Sequence, residues 1–427
     1  MNSKVKSGDK VRVILSNEEY LGTLLESSDD EKSITLLKLD SGYNIGIKKK
    51  DILEIEILKK LVEKKEKAEV KRDFEKPNIA MIITGGTIAA RLNPRKGGVD
   101  WFDSPESLFK FYPELFEKVN VLKVEVPFMK ASEDMGFMDW KKIAKTTEKL
   151  LNDGNIKGVI ITHGTDFLHY TSSALSFFLR NLNKPVVLTY SQRSIDRASS
   201  DANLNLQCAA LAAISDIAEV MLVGHANSDD NFCYAMPGTK VRKMHTSRRD
   251  AFKVVNSKPF AKIFPDKIEK IFNYSIRDNG RKLKADLKFE EKVALIKIYP
   301  GQNPNILDYY IKNKYKGVVL EMSGLGHCPT RRARNAWTNR LKEVQKKGLV
   351  VCAVSQCIYG RTDPLVYSNG REILSTGVIY LEDMLAETAL VKFGWVLGHL
   401  EWAKDREIVK EKMLKNFAGE LNDRLEE

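Results

Sequence analysis

The sequence predicts an α/β protein, with two doubly wound α/β domains preceded by a small all-β, SH3-like barrel. Three observations carry that expectation. Residues 8–57 alternate apolar and polar side chains with a period of two, and from residue 79 short apolar runs alternate with longer amphipathic segments. The chain's 427 residues also exceed what one ordinary domain of roughly 100–200 residues holds.

The barrel follows from the runs KVRVIL, EYLGTLLE, SITLLKL, YNIGIKK and ILEIEI, separated by the turn signals SNE, SSDDEK and DSG. That spacing predicts about five short antiparallel strands, assigned to residues 1–58. Residues 59–77, KKLVEKKEKAEVKRDFEKP, are charged throughout, contain no glycine and read as a solvated, partly helical linker ending at Pro77. Beyond it, IAMIIT, GVIIT, PVVLTY and AEVMLVG read as buried strands of one parallel sheet, and VALIKIY, GVVLEM and LVVCAVS as strands of a second. A break near residue 290 divides this part into domains 78–290 and 291–427, the latter ending in a helical tail from about residue 380.

With 43% hydrophobic and 30% charged residues, the composition excludes a disordered chain. No run reaches the roughly 18 apolar residues of a membrane span. The opening MNSKVKSGDKVRV has no apolar stretch after its charges, so a cytoplasmic protein without membrane association is expected. The five cysteines form no CxxC pair and have no histidine at zinc-finger spacing, which points to reduced structural thiols and no metal site.

The net charge of +12 is unevenly placed. Residues 1–75 carry sixteen basic and sixteen acidic side chains, whereas Lys240 to Lys288 holds fifteen Lys and Arg against five Asp and Glu. An RRAR cluster follows at Arg331 to Arg334. Such a bias suits a polyanion such as RNA, and equally a solvated Lys- and Glu-rich surface of a thermophile type.

Open α/β sheets bind ligands beyond the carboxyl ends of their strands. After IAMIIT come Gly85, Gly86, Thr87 and Ile88, where two glycines permit a tight turn beside an exposed hydroxyl. After GVIIT come His163, Gly164, Thr165 and Asp166, opening the amphipathic segment FLHYTSSALSFFLRNL. A hydroxyl beside a carboxylate at a helix start, with helix-end N–H groups, suits a substrate carboxylate or an oxyanion; Thr and Asp are also ordinary helix caps. The chain lacks GxGxxG, the GK[ST] of a P-loop and the GxSxG elbow.

Taken together, TGGTIA at Thr84–Ala89, HGTD at His163–Asp166 and VRKMHTSRRDAF at Val241–Phe252 resemble the asparaginase and glutaminase family of amidohydrolases. The resemblance implies catalytic residues Thr87, Thr165, Asp166 and Lys243. It also implies substrate binding by Gly86, Gly164, Ser132 and Glu133, with Asp134 in the same segment. A threonine hydroxyl is a weak nucleophile near its free pKa and needs a base; a desolvated lysine can supply one while an aspartate orients it. The family's tyrosine after TGGTIA has no counterpart, Pro94 falling near that position and Tyr112 being the nearest later tyrosine. His327 in GLGHCP resembles a family position that reaches a neighbouring subunit's site.

The N-terminal barrel, SQRSIDRASSDANLNL at Ser191–Leu206 and GREILSTGVIYLEDMLAETALVKFGWVLG resemble, within the family, the glutaminase subunits of archaeal tRNA-dependent amidotransferases. That resemblance implies a homodimer assembling with a partner, the E subunit, into a heterotetramer that acts on Glu-tRNA(Gln) with glutamine as nitrogen donor. ATP and Mg would be used by the partner, and no cofactor is expected on this chain. A free-standing cytosolic L-asparaginase shares the catalytic motifs, and a non-catalytic RNA-binding scaffold is a reading of another class. If the basic stretch touches tRNA, charge reversal at Arg277, Arg281 and Lys284 is expected to weaken tRNA binding and reduce its salt dependence, as measured by a salt titration.

Overall fold

The computed structural model describes residues 5–26, 33–39, 44–60, 75–92, 99–101, 115–194 and 199–425. Pro94, Tyr112, residues 61–74 of the linker and residues 195–198 lie outside the described residues. The described residues up to 60 contain a five-stranded antiparallel sheet of β1 (Lys10–Ile14), β2 (Glu19–Leu24), β3 (Ile34–Leu39), β4 (Asn44–Lys48) and β5 (Glu54–Lys59), in the order β4-β3-β2-β1-β5. Alternation is the reason: in β1, Val11 and Val13 turn inward to pack with Leu37 and Ile47 while their neighbours stay half-buried.

The first α/β domain has an eight-stranded sheet. Its elements are β6 (Asn78–Ile83), a ribbon of β7 (Ala90–Leu92) and β8 (Val99–Trp101), α1 (Leu115–Lys118), β9 (Asn120–Glu125), α2 (Phe137–Leu151), β10 (Val159–Thr162), α3 (Leu168–Phe178), β11 (Val186–Thr189), α4 (Ala202–Ile214) and β12 (Val220–His225). β13 (Cys233–Pro237), a second ribbon of β14 (Val241–Lys243) and β15 (Phe252–Val254), then β16 (Ala261–Ile263) and β17 (Ile268–Lys270) complete it. The sheet order is β17-β16-β13-β12-β11-β10-β6-β9, parallel from β12 to β9 and antiparallel beyond. Every residue of β10, β11 and β12 is buried, as expected of parallel strands covered by helices on both faces.

Two features of this domain lie outside the sequence expectation. Edge strand β9 mixes apolar with polar residues rather than forming an apolar run, and the basic stretch supplies four short strands. The second domain is a four-stranded parallel sheet of β18 (Val293–Lys297), β19 (Gly317–Met322), β20 (Val350–Ser355) and β21 (Ile379–Tyr380), in that order. Its helices are α5 (Ile306–Lys312), α6 (Thr338–Lys346), α7 (Ser368–Leu374), α8 (Ala386–Gly398), α9 (Leu400–Ala403) and α10 (Arg406–Leu414). Among the described residues no helix is long and apolar enough to cross a membrane, and all five thiols are free, four of them buried.

The two α/β domains share one apolar core, in which Phe177 and Phe178 of α3 join Phe393 and Trp395 of α8. The chain after α10 folds back over this junction. There Lys392 and Glu420 form a 2.6 Å ion pair with both side chains fully buried, and Lys392 Nζ also donates to the carbonyls of Met413 and Lys415. Removing one partner strands a buried charge. Lys392→Met is therefore expected to lower unfolding stability by about 3–5 kcal/mol, and the joint change with Glu420→Leu to recover most of it, measured by urea denaturation.

Candidate active site

The chain leaves β6 toward β9 on one side and leaves β10 toward β11 on the other, so the adjacent carboxyl ends of β6 and β10 flank a switch point. Crevices of that kind are where open α/β sheets bind ligands. Both predicted threonine motifs sit there. The turn after β6 has φ of +119° at Gly85 and +82° at Gly86, values that favour glycine. A Cβ on Gly86 would lie 2.5 Å from the Gly164 nitrogen, so the two turns touch backbone to backbone, with Thr87 and Thr165 one residue beyond the contact. Thr84 Oγ1 fastens the strand ends together by donating to the Thr162 carbonyl at 2.8 Å.

Lys243 arrives from far along the chain. After β13 the backbone at Gly238 presses against α3, accepting a 2.8 Å hydrogen bond from Ser172 Oγ, and the β14–β15 ribbon starts three residues later. Because α3 also begins beside Asp166, one helix anchors both parts. The outcome is a short triad in which Lys243 Nζ donates to Thr165 Oγ1 at 2.8 Å and to Asp166 Oδ1 at 2.7 Å. The lysine side chain is 10% exposed and the Asp166 side chain 60%, so the amine is sheltered behind a carboxylate that meets solvent.

Ser132 and Glu133, expected to hold substrate, lie in a single 3-10 turn against Gly164. Ser132 Oγ accepts from the Asp166 and Phe167 N–H groups at 3.1 and 3.3 Å and approaches Glu133 Oε2 at 3.2 Å. The helix-start N–H groups that the sequence offered to a ligand are thus partly taken up by a serine hydroxyl that caps them.

Two histidines pack beside the triad and carry no charge at neutral pH. Burial pushes His163 down to about 4, against a contact between its Nδ1 and the Gly164 carbonyl at 2.7 Å. Burial also pushes His169 down to about 3, helped by Arg242 and Lys243 nearby. From the second domain, Glu387 at the start of α8 reaches Arg242 at 3.0 Å, and Asp383 reaches Lys240 at 2.6 Å. Both carboxylates lie in the GREILSTGVIYLEDMLAETALVKFGWVLG segment, but nothing in the sequence pairs them with partners more than 140 residues away.

The basic stretch is not the free cationic surface that its local composition suggests. Ten of its fifteen basic residues form ion pairs, largely with acids elsewhere in the chain, such as Asp166, Asp216, Asp230, Asp383, Glu387 and Glu401. Arg277 donates to the Ser215 carbonyl, and burial lowers its pKa. Its reversal would therefore break the fold locally rather than report on tRNA. Lys282 and Lys284 are exposed and enter none of these pairs.

Three family profiles match the chain: GatD N-terminal domain over residues 5–58, Asparaginase, N-terminal over 78–275, and Glutaminase/Asparaginase C-terminal domain over 292–413. The D subunit of the Pyrococcus furiosus glutamyl-tRNA(Gln) amidotransferase is 47% identical over 431 residues, covering 98% of this chain and 95% of its own. That of Methanothermobacter thermautotrophicus is 41% identical over 428 residues, covering 99% and 95%. Among solved structures, the thermostable L-asparaginase from Thermococcus kodakarensis aligns with a TM-score of 0.70 at 28% identity, covering 81% of this chain and 100% of that one.

The buried histidines make stability depend on pH. Their folded values of about 4 and about 3 lie below the unfolded value near 6.5, so between these limits the unfolded chain binds more protons. Their contribution is full above pH 6.5 and is lost as pH falls toward 4 and then 3. His169→Gln is expected to flatten the fall by up to about 1.4 kcal/mol per pH unit, read from urea midpoints between pH 6.5 and 4; an unchanged slope would count against it.

Proposed function

The chain belongs to the asparaginase family and, within it, to the D subunits of glutamyl-tRNA(Gln) amidotransferases, and on that premise we propose that it hydrolyses glutamine to supply ammonia to a partner. That partner, the E subunit, uses ATP and Mg to activate Glu-tRNA(Gln) and amidates it to Gln-tRNA(Gln). Lys243 Nζ standing between Thr165 Oγ1 and Asp166 Oδ1 is the observation that carries the catalytic part of this reading. The barrel carries the part that separates it from a free-standing L-asparaginase, since residues 5–58 match the GatD N-terminal domain.

In the reaction a threonine hydroxyl attacks the side-chain carboxamide carbon of glutamine. Lys243 takes the hydroxyl proton, Asp166 stabilises the ammonium so formed, and the proton passes to the departing nitrogen. The C–N bond breaks, ammonia leaves, and water hydrolyses the acyl-threonine ester to glutamate. Thr87 and Thr165, on the two turns that meet at Gly86 and Gly164, serve the attack and the ester hydrolysis between them. Backbone N–H groups of those glycine turns receive the oxyanion, and the Ser132–Glu133 turn holds the amino-acid end of the substrate.

The assembly that suits this chemistry is a homodimer of this chain with two copies of the E subunit. Across the dimer His327 approaches the neighbouring site, and the 59–77 linker joins domain 1–58 to the α/β domains 78–290 and 291–427. Within the 240–288 stretch, Lys282 and Lys284 are exposed outside the ion pairs and are offered for contact with tRNA.

Ammonia release from glutamine and from asparagine, by the purified chain alone and with partner and Glu-tRNA(Gln), tests the proposal. Glutamine hydrolysis that rises sharply on those additions is the expected result; fast asparagine hydrolysis indifferent to them would overturn it. Thr165→Ala and Lys243→Met are expected to lower glutamine hydrolysis by about 10²–10⁴-fold while amidation driven by added ammonium salt persists.

A further inference from the structure

The β14–β15 ribbon that carries Lys243 is a precarious support. It has three residues per strand, pairs with no strand of the eight-stranded sheet, and is of a size that does not hold its shape alone. Its position is set by what grips it. The first domain contributes the Ser172 hydrogen bond to Gly238 and a tilted ring contact of Phe252 with Tyr190, centres 4.7 Å apart. The second domain contributes two carboxylates, Asp383 on Lys240 and Glu387 on Arg242.

Arg242 and Lys243 are neighbours in one strand, so their side chains leave opposite faces. Arg242 reaches across to Glu387 of the second domain at 3.0 Å, and Lys243 reaches the other way to Thr165 at 2.8 Å. Glu387 is 6% exposed, its Oε2 has no hydrogen-bond partner, and His169 Nε2 stands 4.0 Å from Oε1. That leaves Arg242 as its charged partner, a grip on the ribbon rather than one rim contact among many. A twist of the strand that released Arg242 would swing Lys243 away from Thr165 by the same rotation.

We propose that Glu387 is a positioning residue for glutamine hydrolysis: from the second α/β domain it holds Arg242 and thereby aims Lys243 at Thr165. The proposal rests on Lys243 acting as the base. Glu387 touches neither substrate nor reacting atoms, so its loss should act on turnover. The substrate-holding turns at Gly86, Gly164 and Ser132 lie on other segments and keep their places. The docking of the second domain thereby becomes part of the catalytic apparatus of the first.

Steady-state glutamine hydrolysis by the full chain, assembled with its partner and Glu-tRNA(Gln), tests this with Glu387→Gln, Arg242→Met, the double variant and Lys243→Met. Glu387→Gln is expected to lower kcat about 10- to 100-fold with KM held within about twofold, the size of effect that follows a displacement of about 1 Å. Arg242→Met, whose side chain is 28% exposed and whose loss buries less disruption, should match it, and the double should be no slower than the worse single. Amidation from added ammonium salt at the parental rate confirms that each variant is folded and assembled. An active Lys243→Met would refute the underlying assignment of the base. An inactive Lys243→Met beside parental kcat in folded Glu387→Gln or Arg242→Met, or single losses that multiply in the double, would overturn the positioning role; should Glu387→Gln fail to fold, Arg242→Met decides alone.

Discussion

The contact on which the site depends is between two backbones. Gly86 and Gly164 lie so close that a methyl group on Gly86 would stand 2.6 Å from the Gly164 Cα, and the positive φ at Gly86 already disfavours any other residue. Thr87 and Thr165 acquire their proximity from this contact, and the contact exists because β6 and β10 are neighbours in the sheet. The chain between them detours through edge strand β9 and helix α2, which opens the crevice at the switch point. Substitution of Gly86 would push the two turns apart, and substitution of Gly164 would press on Ser132, 3.0–3.1 Å from the added carbon.

A second constraint operates across the domain boundary. The apolar core runs through both α/β domains, and area burial of that kind is indifferent to small changes in docking angle. The fully buried pair Lys240–Asp383, which crosses the boundary, is not indifferent. Replaced together by apolar groups such pairs cost little, but with one partner displaced they leave a desolvated charge, which penalises every docking except the observed one. Asp383 extends the effect by accepting hydrogen bonds from Asn422, drawing the C-terminal segment into the same junction.

How much of this was legible follows from where each signal is stored. The buried parallel strands were readable because covering both faces of a sheet makes a strand uniformly apolar, as in VIIT and VVLT. Strand β9, NVLKVE, escaped because an edge strand keeps polar residues, and β14 to β17 escaped because three-residue strands in a basic stretch show no period. Thr87, Thr165, Asp166 and Lys243 could be named from their motifs, yet the Thr165–Lys243 distance is a property of the Gly238 anchor on α3. The partners of Glu387 and Asp383 were invisible for the same reason that the basic stretch misled. Charge read along a sequence window counts near neighbours, whereas the acids that neutralise Lys240 and Arg242 arrive from another domain.

The charges around Thr165 complete the physical picture. With His163 and His169 held neutral by burial, the basic side chains on this strand are Lys243, which faces Thr165, and Arg242 on the opposite face, and each meets one carboxylate. Asp166 belongs to the first domain and is largely in solvent; Glu387 belongs to the second and is buried. The Lys243–Asp166 pair meets solvent only on its carboxylate side, Asp166 being 60% exposed and Lys243 10%. Separating Arg242 from Glu387 leaves a buried carboxylate facing neutral His169, which is costly. The strand is thus tied on one side to a buried carboxylate of the second domain and faces, on the other, a carboxylate open to water.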